Sequence, residues 1–245
     1  MKFRYERGAL SDLDEIFSYV AKDNPEAASR LATRIEDVAA RIAASRYIGQ
    51  ATIPNKLDPS HMPGIDETEQ FIPLHIAVLT VSDTRSLDDD KSGATLAERI
   101  NKAGHAVAAR AIVTDDVDKI RTQLKAWIAD PAIDVIITTG GTGFTGRDVT
   151  PEAVEPLFEK RMDGFSTLFL MVSHGKIGTS AIQTRASAGV AGATYIFCLP
   201  GSPGACRDAW DEILVHQLDY RYRPCNFVEI MPRLDEHLRR GKARG

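Results

Sequence analysis

Cysteine is scarce in this chain. Three occur, Cys198, Cys206 and Cys225, none forms a C-x-x-C pair, and the first two fall in stretches patterned as strand and helix interior. An odd, dispersed set predicts free thiols in a reducing cytoplasm rather than a disulfide framework. Long apolar runs are also missing. With no run of 18 apolar residues and no signal-peptide core, neither a membrane span nor secretion is expected. Basic surplus is absent too: 30 Lys and Arg stand against 34 Asp and Glu, a formal net charge of -4. That balance argues against nucleic acid as the main partner, since neutralising phosphates needs a basic face. No G-x-x-x-x-G-K-[ST] occurs, which excludes a P-loop. What remains is ordinary for a globular chain of 245 residues, with 43% hydrophobic and 26% charged residues, and it suggests one good core plus an appendage.

Glycine, in contrast, is concentrated where it matters. Ile133 to Thr138 is a short β-branched run of the kind expected for a parallel strand covered on both faces. It leads into Thr139-Gly140-Gly141-Thr142-Gly143-Phe144-Thr145-Gly146-Arg147-Asp148, then Val149-Thr150-Pro151-Glu152-Ala153. Glycines at such an exit let backbone N–H groups approach an anion with no Cβ in the way. Thr150 reads as a helix N-cap, Pro151 as the first helical residue and Glu152 as a first-turn acid. Asp148 stands just outside that cap, placed to ligate a metal or to accept a hydrogen bond from a substrate hydroxyl. A literal G-x-G-x-x-G runs through Gly141, Gly143 and Gly146, yet the helix opens only after it. The acid nearest the expected offset, Asp163, precedes another helical pattern, so the dinucleotide fingerprint fits badly.

Residues 1–49 differ in kind from the rest of the chain. After a short strand, Leu13, Ile16, Phe17 and Val20 mark one amphipathic helix behind Ser11, and Leu31, Ile35, Val38 and Ile42 mark a second behind Asn24 and Pro25. Through Leu10 to Ile16 and Asn24 to Ala28 this segment resembles the start of the ParE/RelE-type toxin fold. The strands that complete that fold are not evident after it, so the segment reads as incomplete: a partner-binding hairpin, or a fusion left by rearrangement or a misplaced start. Residues 50–71, with Pro54, Pro59, Pro63 and Gly64 and no periodicity, read as a linker or arm. A charged tail is assigned to 233–245.

From Leu74 the pattern alternates: strand 74–81, helix about 93–103, strand 105–113, helix about 117–129, strand 133–139 and, later, strand Thr194 to Leu199. This predicts a doubly wound, mostly parallel α/β domain over 72–232. Ligands in such sheets sit outside the carboxyl ends of the strands, and here every strand exit carries chemistry. The exits are Ser82-Asp83, Thr114-Asp115-Asp116, the glycine run with Asp148, and Pro200-Gly201-Ser202-Pro203. Asp116 reads as an N-cap and Asp88 to Asp90 as a solvated loop, whereas Asp115 and Asp148 have no evident structural duty. His105 and His174 lack partners at ligand spacing and read as core or surface histidines.

Taken together, Ala77 to Arg85, Thr139 to Gly143, Asp148 to Ala153, Ile177 to Ser180, Leu199 to Pro203 and Arg223 to Phe227 resemble the MogA/MoaB family of molybdenum cofactor biosynthesis proteins, closest to its MoaB branch. The resemblance implies a trimer-forming fold, so a homotrimer or hexamer. In active members it implies adenylylation of molybdopterin by Mg-ATP with release of pyrophosphate. Some MoaB-type members lack acids matching Asp115 and Asp148; this sequence keeps both. By resemblance, Asp115 and Asp148 would hold Mg²⁺ and act in catalysis, while Ser82, Asp83, Gly140, Gly141, Thr142, Gly143, Pro200, Gly201, Ser202 and Pro203 would line the pterin and nucleotide pockets. The alternative is a non-catalytic pterin-binding or scaffold protein, with the N-terminal hairpin recruiting a partner such as the molybdate-inserting MoeA-type protein. A third, the toxin reading, requires the first 49 residues alone to inhibit growth.

Overall fold

The computed structural model describes residues 63–236 and the single position Lys22. The chain divides into two units, Met1–Pro59 and Ser60–Gly245. The expected N-terminal strand and hairpin, the linker up to residue 62 and the tail beyond residue 236 lie outside the described residues.

A six-stranded sheet forms the centre of the second unit. Its strands are β2 (His75–Val81), β3 (Ala106–Val113), β4 (Val135–Thr139), β5 (Lys160–Arg161), β6 (Ser187–Ala191) and β7 (Thr194–Leu199), arranged β3-β2-β4-β7-β6-β5. The first four in that order are mutually parallel, and β6 and β5 add antiparallel partners at one side. The α/β class with a mostly parallel sheet is the one the alternating pattern predicts.

Residue type explains why the central strands lack a polar face. In β2, Ile76 and Val78 enter one core while Ala77, Leu79 and Val81 enter the other. Strand β7 divides likewise, with Tyr195, Phe197 and Leu199 on one side and Ile196 and Cys198 on the other. Side chains alternate along a strand, so a strand covered on both faces must be apolar throughout. Helix α1 (Lys91–Lys102) covers the first face with Leu96 and Ile100; α2 (Val117–Ile128) covers the second with Ile120, Leu124 and Trp127. Each fully buried Leu or Ile of this kind stabilises the fold by about 1.5–3 kcal/mol in transfer terms.

After the glycine run come α3 (Thr150–Val154), α4 (Asp163–Ile177) and α5 (Pro203–Ala209), the last continuing through a π-helical turn at Trp210–Leu214. β1 (Gly64–Ile65) pairs antiparallel with β8 (Tyr222–Arg223), just before α6 (Phe227–Ile230). Arg223 bonds Glu69 at 2.9 Å, and the Arg221 guanidinium lies 5.3 Å from the centre of the Phe71 ring, so residues 63–71 are fastened to the domain.

Three local expectations change. Thr150 is the first helical residue and not the cap: its hydroxyl donates to Gly140 O at 2.8 Å, and Val149 occupies the cap position without a side-chain bond. Asp90 is no solvated loop residue. It is 2% exposed, caps α1 through Gly93 N, and accepts from Thr80 Oγ1 and Arg110. Asp148 does have a structural duty, since its carboxylate closes the loop that carries it by accepting from Thr145 N and Thr145 Oγ1. Asp116 caps α2 through Asp118 N and Lys119 N, as expected. His105 is a core histidine: its Nδ1 accepts from Leu74 N at 3.1 Å, and burial pushes its pKa down to about 4. His174 is exposed. The three cysteines are free, Cys198 and Cys206 buried and Cys225 exposed.

Candidate functional site

Parallel strands deliver their carboxyl ends to one edge of the sheet, and here that edge holds a cavity of about 710 Å³. The order β3-β2-β4-β7 means that the chain leaves β2 in one direction and returns past it to β4. The cleft at that reversal is where open α/β sheets bind ligands. Glycine makes the close approach possible. Gly140 has φ +100°, its N–H donates to Leu199 O at 3.1 Å, and a Cβ there would collide with the Val81 carbonyl oxygen. A Cβ on Gly201 would lie 3.0 Å from Gly140 Cα. The exits of β2, β4 and β7 therefore pack backbone on backbone, which side chains would prevent.

Of the residues singled out from the sequence, Ser82, Asp115, Gly140, Gly141, Thr142, Gly143, Asp148, Pro200, Gly201, Ser202 and Pro203 line this cavity. Asp83 stands beside it: its carboxylate pairs with Arg147 and accepts from Asp115 N at 3.2 Å. Ser202 doubles as the cap of α5, accepting from Ala205 N. The far wall comes from α4 and the turn after it, through Phe169, Ser173, Ile177 and Ser180.

The two acids differ in their surroundings. The Asp148 carboxylate accepts from Thr145 Oγ1 at 2.5 Å and Thr145 N at 2.9 Å. The Thr145 hydroxyl bond, with help from the backbone N–H groups of Thr145 and Gly143, holds its pKa below the ordinary carboxylate value. Asp115 goes the other way. Burial raises its pKa, the Asp83 and Asp148 carboxylates raise it further, and Arg147 opposes only in part. Three carboxylates thus share one neighbourhood, and the least solvated of them is poorly compensated. An arrangement of this sign favours a cation. Among the described residues no group of three or more His, Cys, Asp or Glu side chains is placed to hold a metal by itself. Asp115 and Asp148 flank the glycines: a Cβ on Gly141 would come 2.5 Å from Asp115 Oδ1, and one on Gly143 2.7 Å from Asp148 Oδ2.

Behind the glycine run stands a residue with no motif to announce it. Arg185, just before β6, donates through Nε to Thr142 O at 3.1 Å and through Nη2 to Gly143 O at 2.5 Å and Asp148 O at 2.9 Å, while Nη1 pairs with the Glu152 carboxylate. Across a trans peptide the next N–H points opposite to the carbonyl. Turning Thr142 O toward Arg185 therefore aims Gly143 N–H at Asp148. The N–H of Thr150 is used on Gly141 O at 2.9 Å, so α3, five residues long, does not present its first donor to the cavity as the sequence suggested. Among the described residues the N–H groups of Gly141 and Thr142 bond to no other group.

No helix of the described residues is long and apolar enough to cross a membrane.

Residues 77–220 match the family model described as "Probable molybdopterin binding domain". Residues 3–77 match the model of the ParE toxin of the type II toxin–antitoxin system parDE, which reaches past the hairpin assigned from sequence. Molybdenum cofactor biosynthesis protein B of Escherichia coli (strain K12) is 51% identical over 158 residues, spanning 64% of this chain and 93% of that protein. Among solved structures, a crystal structure of molybdenum cofactor biosynthesis protein B aligns with TM-score 0.59 and 36% identity over 70% of this chain and 99% of that one. The tungsten cofactor synthesizing protein MoaB from Pyrococcus furiosus aligns with TM-score 0.53 and 35% identity over 58% of this chain and 91% of that one.

Proposed function

We propose, since this chain belongs to the MogA/MoaB family of molybdenum cofactor biosynthesis proteins, that it is an enzyme of that pathway and adenylylates molybdopterin with ATP. The observation that carries this reading is the pairing, in one cavity, of a glycine run whose Gly141 and Thr142 N–H groups bond to no other group among the described residues and of two carboxylates, Asp115 and Asp148, pressed against that run.

The reaction asks little covalent chemistry of the protein. An oxygen of the pterin's terminal phosphate attacks the α-phosphorus of ATP, a P–O bond forms, and the bond to the departing pyrophosphate breaks. The nucleophile is already ionised, which suits a site without an activated serine, cysteine or histidine: Cys198 and Cys206 are buried, with pKa values raised to about 11 by desolvation. Positioning and charge compensation do the work. Backbone N–H groups of the glycine run would receive phosphate oxygens of the nucleotide. Asp115 and Asp148 would hold Mg²⁺, which supplies charge neutralisation and a template for phosphate oxygens. Their fit is good: two carboxylates beside one run of glycines suit an ion that takes the rest of its shell from substrate oxygens and water. The burial and carboxylate neighbours that raise the Asp115 pKa would be offset by that ion. Ser82 and the loop Pro200 to Pro203 would line the pocket around the substrates. Asp83 would act from behind, by fixing Arg147 and the Asp115 backbone.

Association with further copies is part of the same reading. Leu168, Leu170, Met171 and Ile177 of α4 and Ile182 after it are 41–80% exposed, and large side chains left so open on one helix and its following turn suit burial in a homotrimer or hexamer. The free thiols of Cys198, Cys206 and Cys225 support residence in the cytoplasm as part of this reading. A MoeA-type protein that inserts molybdate would take the product.

The competing scaffold reading is separated by Asp148→Asn, whose amide oxygen can still accept from Thr145. Turnover should fall below about 1% of the wild type with molybdopterin affinity changed less than about threefold, in line with loss of a charge needed mainly in the transition state. Pyrophosphate release by this variant at the wild-type rate would remove Asp148 from the proposed machinery, and no release by the wild type would remove the enzyme reading.

A further inference from the structure

One charged residue in the cavity has no role in the proposed adenylyl transfer. Among the described residues only three ionised side chains line it: Asp115, Asp148 and Arg85. Arg85 leaves the β2 exit, where its N–H donates to Ser82 Oγ at 3.3 Å, and its Nη1 reaches Ser92 Oγ at 2.8 Å and Gly201 O at 3.3 Å. Both acceptors are neutral. Other arginines around the site are matched by carboxylates: Arg147 by Asp83, Arg110 by Asp90, and Arg185 by Glu152. Among the described residues Arg85 has no carboxylate partner, and its Nε and Nη2 donors make no hydrogen bond.

The support behind Arg85 is fixed. Ser92, fully buried, gives its hydroxyl proton to Asp90 Oδ1 at 3.2 Å, which turns an oxygen lone pair toward Arg85. Asp90 is held in turn by Gly93 N, Thr80 Oγ1 and Arg110. Burial works against its charge, but these hydrogen bonds prevail and keep its pKa low, so the carboxylate stays an acceptor. Arg85 is thereby presented to the cavity with its charge uncompensated, on the side of Gly201, while the acids press on Gly141 and Gly143.

We propose that Arg85 seats the phosphate monoester of the pterin, beside the nucleotide's polyphosphate held at Asp115 and Asp148. This rests on the reading of the site as one that binds molybdopterin and ATP together. The chemistry of the pairing is direct: a monoester dianion brought beside a polyphosphate and two carboxylates needs a local cation, and a guanidinium with free paired donors matches phosphate oxygens two at a time.

The test is binding, measured without turnover. The full chain, as wild type, Arg85→Ala, Arg85→Lys and Ser92→Ala, is titrated with molybdopterin and with molybdopterin dephosphorylated by a phosphatase, each variant first being shown to unfold near the wild-type temperature. Arg85→Ala should weaken molybdopterin binding roughly 10- to 100-fold and the dephosphorylated pterin less than about twofold. Arg85→Lys should recover part of the loss, and Ser92→Ala, which keeps the charge but removes its support, should fall between. The KM for ATP should stay within about twofold wherever turnover is measurable. Equal weakening toward both pterins, or a loss confined to ATP, overturns the proposal. Phosphate-dependent pterin binding through Arg85 in a chain that releases no pyrophosphate would uphold it and overturn the adenylylation reading alone.

Discussion

Arg185 Nη2 donates to the main-chain oxygen of Asp148 at 2.9 Å across 37 positions of sequence, and the same guanidinium holds Thr142 O and Gly143 O. One side chain thus sets the path of the loop that carries both the glycine run and an acid of the proposed site. Lysine carries three donors on a single nitrogen without the planar fork, and cannot meet the three carbonyls and the Glu152 carboxylate together. Arg185→Lys should therefore lower kcat/KM for ATP about 10- to 100-fold, and cost about 1–3 kcal/mol of stability through carbonyls left unpaired. Steady-state kinetics and urea unfolding check the two numbers; an unchanged KM for ATP with full stability would show that the loop holds itself.

Asp115 is placed for function against stability. Its raised pKa, caused by burial and then by the Asp83 and Asp148 carboxylates, means that the folded protein binds its proton more tightly than the unfolded chain does. The penalty for its ionised form is fully present above the folded pKa, shrinks as the pH falls through that value, and is gone below the unfolded value of 3.8. Asp115→Asn should accordingly raise the thermal midpoint at pH 7 by about one to a few degrees, without added metal, while abolishing turnover. Differential scanning calorimetry at pH 7 decides it, and a lowered midpoint would contradict the burial argument.

Gly140 joins β4 to the site at φ +100°, where a Cβ would strike the Val81 carbonyl. Gly140→Ala should cost more than about 1 kcal/mol, since the native conformation is one alanine rarely adopts and the clash is with main chain. Gly146 makes the control: a Cβ there meets nothing within 4 Å, so Gly146→Ala should unfold close to the wild type. Equal stability of the two variants would count against backbone-on-backbone packing at the strand exits.

His105 gives the fold an acid-sensitive point away from the site. Its pKa falls from 6.5 unfolded to about 4 folded because burial disfavours the cation. A depressed histidine contributes stability that is present above 6.5 and lost as the pH falls from there toward 4, since the unfolded chain binds the proton first. The loss amounts to at most about 3 kcal/mol. The chain's two tryptophans, Trp127 and Trp210, both belong to the described domain, so fluorescence-monitored urea unfolding from pH 7.5 to 4.5 reads this unit. His105→Asn should flatten that pH dependence.

The strands of this domain were legible because both their faces are buried, so β2, β4 and β7 stand out as apolar runs, with Ser82-Asp83, Gly140 and Pro200 after them. The exits were legible because Gly140, Gly141 and Gly143 are needed for close approach of main chain. Other roles were hidden because they depend on partners distant in sequence. Asp90 looked like part of an acidic loop, yet Thr80 and Arg110, on neighbouring strands, make it a buried cap. Arg185 sits in an unremarkable stretch, and only the fold brings it behind Thr142 and Gly143. Thr150 has the residue type of a cap, but a hydroxyl can as readily satisfy a carbonyl, and here it serves Gly140 O.

The most direct measurement follows the phosphorus. Full-length chain, molybdopterin, Mg²⁺ and ATP labelled at the α-phosphate are incubated, and the pterin is separated and counted. We expect label on the pterin, dependent on Mg²⁺, with one pyrophosphate released for each label transferred. Pterin that binds but stays unlabelled, or release of orthophosphate in place of pyrophosphate, would contradict adenylyl transfer at Asp115 and Asp148.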